Sequence, residues 1–156
     1  MPNVSCSLAV EADIQTIWRV FLDKVEHPER YMAHVEKTSF VEDTDEYAIR
    51  EIATSDMTLR EKITLNEREG EVIFTLLDHP FFEGDVKHAI IPPAKDLVNG
   101  LPVVSVTMDW KPKNKEAQMI ETAGRHELKV HVEEATKHIK QVAEHLQKSG
   151  KIQAPD

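Results

Sequence analysis

The feature that most constrains the fold is a long proline-free stretch near the C-terminal end, from Asn114 to Ser149. Its apolar residues recur every three or four positions, which predicts one continuous stripe along an α-helix. Asn114 is suited to cap the start of this helix, and Gly150 is suited to end it. The stripe consists of Leu128, Val132, Ala135, Ile139, Val142 and Leu146. A single apolar stripe must be buried against a partner surface, so the rest of the chain has to supply one.

The residues before this helix predict that surface as a β-sheet. Val4, Cys6, Leu8 and Val10 alternate with small residues, which is the period of a strand with one buried face. Because the runs that follow are too closely spaced for crossover helices, we expect antiparallel hairpins. These runs, rich in β-branched and aromatic residues, cover 35–43, 46–54, 57–66, 71–78, 85–91 and 102–111. We therefore predict a seven-stranded antiparallel sheet.

The segment after strand one has helical rather than strand spacing. Asp13 is placed to cap a helix whose apolar residues include Ile17, Trp18 and Phe21, and Pro28 ends it or opens the next turn. A second short helix is predicted at about 28–32. The long helix would measure about 50 Å against about 34 Å for a ten-residue strand, so only its part after Gly124 can lie on the sheet. The predicted fold class is α+β, with a curved seven-stranded antiparallel sheet and two short helices after strand one, gripping a long C-terminal helix.

Composition and charge limit the classes of protein to which this chain can belong. The chain has 156 residues, of which 40% are hydrophobic, so we expect a single domain at 1–150 and a loose tail at 151–156. A formal net charge of −9 argues against a nucleic-acid partner, which needs a basic face. Cys6 is the only cysteine, so no internal disulfide can form. Without an apolar run of about 20 residues or a signal-peptide pattern, we expect no membrane span and a cytoplasmic location.

This order of elements resembles the START-like (SRPBCC) superfamily, which includes the birch-pollen allergen, polyketide cyclases and lipid-transfer domains. The runs 17–22 (IWRVFL), 48–52 (AIREI) and 59–63 (LREKI), together with His27-Pro28, resemble more closely its AtaL-like uncharacterised branch. The resemblance implies a helix-grip fold with a cavity for a hydrophobic ligand between the sheet and the last helix. It implies no catalytic set.

One predicted hairpin, 48–63, carries two charge pairs. A two-residue turn at 55–56 sets Arg50 opposite Glu61 and Glu51 opposite Arg60, so both cross-strand pairs are of opposite charge. The face that holds Arg50 and Glu61 is otherwise apolar and should point inward. A buried ion pair is costly to desolvate and could fix a polar group of a ligand. The alternative is a partly solvated structural pair at the cavity rim, because a register slip of one residue exchanges the two faces.

Histidines are the other candidates for chemistry. His131, His138 and His145 recur every seven residues, about 10.5 Å apart along the helix, which is too far for two imidazoles to share a zinc ion. We assign them to the edge of the helix interface and predict no metal site and no cofactor. His88 is predicted to face inward, either as a titratable group in the pocket or as a satisfied core histidine.

No nucleophile motif and no phosphate-binding glycine loop occurs in the sequence, so it predicts no catalytic residue. The main hypothesis is a protein that binds a hydrophobic small molecule between the sheet and the C-terminal helix. One alternative is an enzyme of polyketide cyclase or aromatase type, in which Arg50, Glu61 and His88 position a substrate and move protons. Another is a filled-core domain that acts through a protein partner. The predicted ligand-binding residues are Arg50, Ile52, Leu59, Glu61, Ile63, Phe74, His88, Val106, Met108, Leu128, Val132, Ala135 and Ile139.

Overall fold

The computed structural model describes residues 3–32, 35–55, 57–94 and 100–150, and the predicted tail at 151–156 lies outside this range. The described residues form seven strands and two α-helices. The helices are α1 (Ile14–Glu26) and α2 (Lys115–Ser149). The strands are β1 (Asn3–Ala9), β2 (Val35–Asp43), β3 (Tyr47–Thr54), β4 (Thr58–Asn66), β5 (Glu71–Leu77), β6 (Phe82–Ile91) and β7 (Val103–Pro112). They pair in one antiparallel sheet in the order β1-β7-β6-β5-β4-β3-β2, which confirms the predicted fold class.

The segment after β1 differs from the prediction of two short helices. Only α1 is an α-helix, and its cap is as predicted, since the Asp13 carboxylate accepts a hydrogen bond from the Thr16 backbone N–H at 2.8 Å. The predicted second helix is a single 3-10 turn over Pro28–Arg30. It closes through a hydrogen bond from the Tyr31 N–H to the Pro28 carbonyl oxygen, three residues back. With so few residues between α1 and β2, one tight turn is all that forms.

Strand β6 begins at Phe82, three residues before the predicted start. The cause is the imidazole of His79, whose Nδ1 accepts hydrogen bonds from the backbone N–H groups of Phe81 and Phe82 and so closes the turn early. Gly84, which precedes the strand predicted at 85–91, therefore lies inside β6 with φ of 124°. A Cβ at this position would lie 2.1 Å from the carbonyl oxygen of Asp109 on β7, so only glycine fits.

Both predicted ends of α2 are confirmed. The Asn114 side chain accepts a hydrogen bond from the Ala117 N–H at 2.8 Å, and Gly150 has the left-handed φ of 73° that ends many helices. The helix packs mainly against β1, β7 and α1. Its buried stripe is shifted slightly from the predicted one, because Leu128 and Ala135 are half-buried while Thr136 and Ala143 are buried. The continuous buried part is Val132, Thr136, Ile139, Val142, Ala143 and Leu146.

Replacing Ile139 by Asp should unfold the protein. Ile139 has no exposed surface and belongs to the main core cluster, so the substitution buries a carboxylate among apolar side chains and should cost more than about 4 kcal/mol. The matched control is Val130→Asp, because Val130 lies on the same helix with 37% of its surface exposed and should change stability by about 0.5 kcal/mol or less. Urea denaturation followed by circular dichroism measures both. Equal losses in the two variants would contradict the packing described for α2.

Candidate functional site

The hairpin of β3 and β4 has the predicted register. Arg50 lies opposite Glu61, and Glu51 lies opposite Arg60. Arg50 is 2% exposed and Glu61 is 8% exposed, and the guanidinium Nη2 donates to the Glu61 carboxylate at 2.9 Å. The Glu51–Arg60 pair lies on the solvent face. The first pair is therefore buried on the concave face of the sheet, as the alternation of apolar residues predicted.

Arg50 also contacts the first helix. Its Nη1 donates to the carbonyl oxygens of Val25 at 2.9 Å and Lys24 at 3.2 Å, which lie in the last turn of α1. The guanidinium carbon lies 5.3 Å from the centre of the Phe74 ring on β5. Among the described residues, the buried Nε of Arg50 has no hydrogen-bond partner. Arg50 thus joins α1, β4 and β5 and still has one donor unused.

His88 lies beside this pair and contacts a lysine that the sequence did not single out. The imidazole, 3% exposed, packs between the rings of Phe21 at 5.6 Å and Phe74 at 4.9 Å. Its Nε2 lies 2.8 Å from Nζ of Lys24. When Nε2 accepts a hydrogen bond from the ammonium group, the neutral imidazole carries its own proton on Nδ1. That Nδ1 is also buried and has no partner within the described part of the chain.

Lys24 was missed because lysine is usually a surface residue, yet its position carried a signal. It follows Ile17 by seven residues and Phe21 by three, so helical spacing places it on the buried face of α1. A charged residue on the apolar face of an amphipathic helix indicates a buried partner or a site. The inward residues that the sequence did identify, Arg50, Glu61 and His88, form one cluster with it.

The pKa values of Lys24 and His88 in this cluster are both lowered. Burial, and then the charge of Arg50, lowers the pKa of Lys24 to about 8, while Glu61 acts in the opposite direction. Burial, with the charges of Lys24 and Arg50, holds the pKa of His88 well below its ordinary value. At pH 7 Lys24 is therefore mostly charged and His88 is neutral. Two cations, Lys24 and Arg50, then face one carboxylate, Glu61, so these groups sum to +1 inside a chain of net charge −9.

A second polar group extends from α1 to α2. The Asp23 carboxylate, 9% exposed, accepts hydrogen bonds from Nη1 of Arg30 at 2.6 Å and from the Tyr31 hydroxyl at 2.8 Å. Burial and the bond to Asp23 raise the pKa of Tyr31. The Tyr31 ring lies 5.1 Å from the ring of His138, whose pKa is lowered by burial and by the charge of Lys24. Of the three histidines that recur on α2, only His138 is half-buried, and His131 and His145 are exposed.

The remaining predicted ligand-binding residues fall into two groups. Ile52, Ile63, Phe74, Val106, Val132 and Ile139 are at most 4% exposed, so they belong to the packed core. Leu59, Met108, Leu128 and Ala135 are half-buried and have surface that a ligand could contact. Two surface depressions of about 790 and 380 Å³ lie elsewhere, one at the start of α1 and one between α1 and β2. Neither depression is lined by Lys24, Arg50, Glu61 or His88.

Two further kinds of site are absent from residues 3–32, 35–55, 57–94 and 100–150. No group of three or more histidine, cysteine, aspartate or glutamate side chains there is placed to hold a metal ion. No helix in these ranges is long and apolar enough to cross a membrane.

No protein-family model and no curated protein sequence matches this chain. Several solved structures match it in fold. The protein TTHA0849 from Thermus thermophilus matches with a TM-score of 0.68 and 14% identity, over 90% of this chain and 95% of that one. The Zhui aromatase/cyclase from a Streptomyces species matches with a TM-score of 0.66 and 13% identity, over 89% and 93%. The di-domain aromatase/cyclase StfQ of the steffimycin pathway gives 0.72 and 14%, over 96% of this chain and 52% of that one.

These likenesses define the class of fold. The chain has the helix-grip fold, in which a curved antiparallel sheet holds a long C-terminal helix, and aromatase/cyclases are among the proteins that share it. At 13 to 14% identity the likeness is one of fold. The helix-grip fold that the START-like resemblance implied is therefore confirmed, whereas membership of that superfamily and of its AtaL-like branch stays a prediction.

The buried pair predicts a specific pattern of stability losses. Arg50→Met should cost about 3 to 5 kcal/mol, because it leaves the buried carboxylate of Glu61 without the hydrogen bond from the guanidinium, and Glu61→Leu should cost a similar amount. The double variant should recover most of this loss. It should remain below the parent, since the carbonyl oxygens of Lys24 and Val25 still lose their donor. Urea denaturation of the four proteins completes the double-mutant cycle.

The neighbouring pair on the same two strands is the matched control for this cycle. Glu51 and Arg60 are 33% and 44% exposed, so Glu51→Leu and Arg60→Met should each cost about 1 kcal/mol or less and add nearly independently. If the Arg50 and Glu61 variants also showed small additive losses, the burial of that pair would be contradicted.

The depressed pKa of His88 predicts a change of stability with pH. As pH falls below about 6.5, the unfolded chain binds a proton at this histidine that the folded protein does not bind, so acidification destabilises the fold. His88→Gln keeps an acceptor for Lys24 and removes the titration. The parent should therefore lose more stability than this variant between pH 7 and pH 5, as measured by urea denaturation. Parallel pH profiles for the two proteins would show that His88 protonates equally easily in both states.

Proposed function

We propose that the protein binds a hydrophobic small molecule that carries an acidic group, with this group against Lys24 and Arg50 and the apolar body between the sheet and α2. The observation that carries the proposal is the surplus of positive charge in this inward cluster, in which Arg50, Glu61 and His88 are buried and Lys24 is half-buried. Lys24 and Arg50 face the single carboxylate of Glu61 in this cluster. An unbalanced buried charge is costly, and an anionic group supplied by a ligand offsets that cost.

The unused hydrogen-bonding groups support the same ligand chemistry. Within the described residues, Nε of Arg50 and Nδ1 of His88 are buried donors without an acceptor. The ammonium of Lys24 is a third donor group. Buried polar groups are nearly always paired, so unpaired ones indicate a partner. A carboxylate or phenolate accepts several hydrogen bonds and donates none, which complements such a set.

The apolar part of the ligand requires surface that is not already filled. Leu59, Met108, Leu128 and Ala135 retain partial exposure, whereas the deeper core residues do not. We infer that a ligand enters beside these four side chains and that α2 shifts to admit it. The fold is compatible with such a role, since aromatase/cyclases share it.

A second candidate function is an enzyme of the cyclase or aromatase type. The observation that favours it is the contact of Lys24 with His88 at 2.8 Å, since two groups with lowered pKa values that share a proton can act as acid and base. Turnover that disappears in His88→Gln while ligand binding persists would favour this candidate over simple binding. A third candidate, a filled-core domain acting through a protein partner, is favoured by the packed interior.

The charge proposal predicts a selective loss of affinity. Dodecanoate should bind the parent protein more tightly than dodecanol, measured by displacement of an environment-sensitive apolar dye. Lys24→Met removes one charge-assisted hydrogen bond and should weaken dodecanoate binding about 10- to 100-fold while leaving dodecanol unchanged. The matched control is Lys87→Met, because Lys87 is exposed and pairs with Glu71 on the outer face of the sheet.

Two outcomes would overturn the proposal. If neither dye nor fatty acid bound the folded protein, the filled-core candidate would replace it. If Lys24→Met and Lys87→Met weakened dodecanoate binding equally, the effect would be one of net charge rather than of the buried cluster.

A further inference from the structure

The amine of Lys24 has the surroundings of a nucleophile. Its Nζ lies 2.8 Å from Nε2 of His88, and its own backbone carbonyl accepts a hydrogen bond from the guanidinium of Arg50. A lysine becomes a nucleophile when desolvation or a neighbouring cation favours its neutral form. Both causes act here and lower the pKa of Lys24 to about 8. At pH 7 its neutral fraction is therefore about 300-fold larger than that of a lysine with an ordinary pKa.

We propose that Lys24 is a covalent capture site for apolar aldehydes and ketones, which it holds as a protonated Schiff base beside His88. This inference rests on the proposed function in one respect, since the carbonyl compound would occupy the same space as the acidic ligand. It adds a second ligand class and a bond-forming step to that site.

The step balances without an oxidant or reductant. The neutral amine of Lys24 attacks the carbonyl carbon, a C–N bond forms, and the C=O π electrons move to the oxygen. His88 accepts a proton from the nitrogen at Nε2, and the oxygen takes a proton from solvent, which gives the carbinolamine. The protonated His88 then returns its proton to the hydroxyl oxygen, the C–O bond breaks and water leaves. The product is an iminium cation, whose charge replaces that of the original ammonium.

The groups around Nζ of Lys24 are suited to an iminium cation. Glu61, which raises the pKa of Lys24, also favours the positive charge of the iminium. Phe21 and Phe74, on either side of His88, supply apolar walls. Two other lysines of the described chain lack these surroundings. The exposed Lys87 is paired with Glu71, and the half-buried Lys140 is paired with Glu144.

Reductive trapping tests the proposal on the full-length protein. The folded chain is incubated at pH 7 with benzaldehyde or decanal and sodium cyanoborohydride, which converts an imine to a stable secondary amine. Peptide mass spectrometry then locates the added mass and separates Lys24 from the α-amino group, which has a similar ordinary pKa of about 8. Lys24 should be alkylated at least about tenfold faster than Lys87 or Lys140, given the larger neutral fraction. The difference should vanish in urea that unfolds the chain.

Two variants separate a reactive lysine from a merely accessible one. Lys24→Arg retains the positive charge and the hydrogen bond to His88 but cannot form an imine, so the labelled peptide should disappear while the other lysines react as before. Glu61→Gln retains an acceptor for Arg50 and removes the charge that raises the pKa of Lys24, so the rise of alkylation rate with pH should move to lower pH. A structural defect alone would not move this pH profile in a protein that circular dichroism shows to be folded.

The outcomes distinguish this inference from the proposed function. Equal alkylation rates at Lys24, Lys87 and Lys140 in the folded parent would overturn the Schiff-base site. If the same preparation still bound dodecanoate, the proposed function would stand without it. Selective alkylation of Lys24 in a protein that binds no dodecanoate would uphold the capture site and overturn the acid-binding proposal.

Discussion

The structure around the site depends on the buried guanidinium of Arg50. It donates to two carbonyl oxygens in the last turn of α1 and to the carboxylate of Glu61 on β4, and it lies over the ring of Phe74. The carbonyl end of a helix carries partial negative charge, so a cation is favourable there. Because a guanidinium does not lose its proton in proteins, the surrounding chain has to supply acceptors for it. This single side chain therefore holds the last turn of α1 against the sheet. The other helix, α2, packs mainly on β1, β7 and α1.

Much of the fold could be predicted because its signals are local and periodic. The alternation in β3 and β4, with a two-residue turn and complementary charges, was enough to predict the register that places Arg50 opposite Glu61. The same alternation placed His88 on the inner face. The predicted start of β6 was wrong, because the observed start depends on the imidazole of His79 accepting two backbone hydrogen bonds. Composition does not reveal this interaction. Lys24 was missed because residue type was given more weight than helical position.

The pattern of apolar residues could not predict whether the space between sheet and helix is open. Periodicity tells which face of Ile63 or Ile139 is buried, but not how far the helix stands from the sheet. That distance depends on how side chains from several elements interlock, which involves contacts far apart in the chain. Here the deep positions are filled, and partial exposure begins at Leu59, Met108, Leu128 and Ala135. The predicted ligand-binding set therefore contains both packed core and accessible surface.

The two halves of α2 differ in how firmly they are held, and this bears on how quickly molecules could exchange with the interior. From Val132 to Leu146 the helix has a continuous buried stripe, whereas between 118 and 131 Glu121 is its one buried residue. Gly124, which weakens a helix by about 1 kcal/mol relative to alanine, lies in the weakly packed half, and a side chain there would meet nothing within 4 Å. Such a segment opens locally at a lower free energy than the whole domain. Exchange could then proceed on the microsecond-to-millisecond timescale of segment opening, while the sheet and the last turns of the helix stay folded.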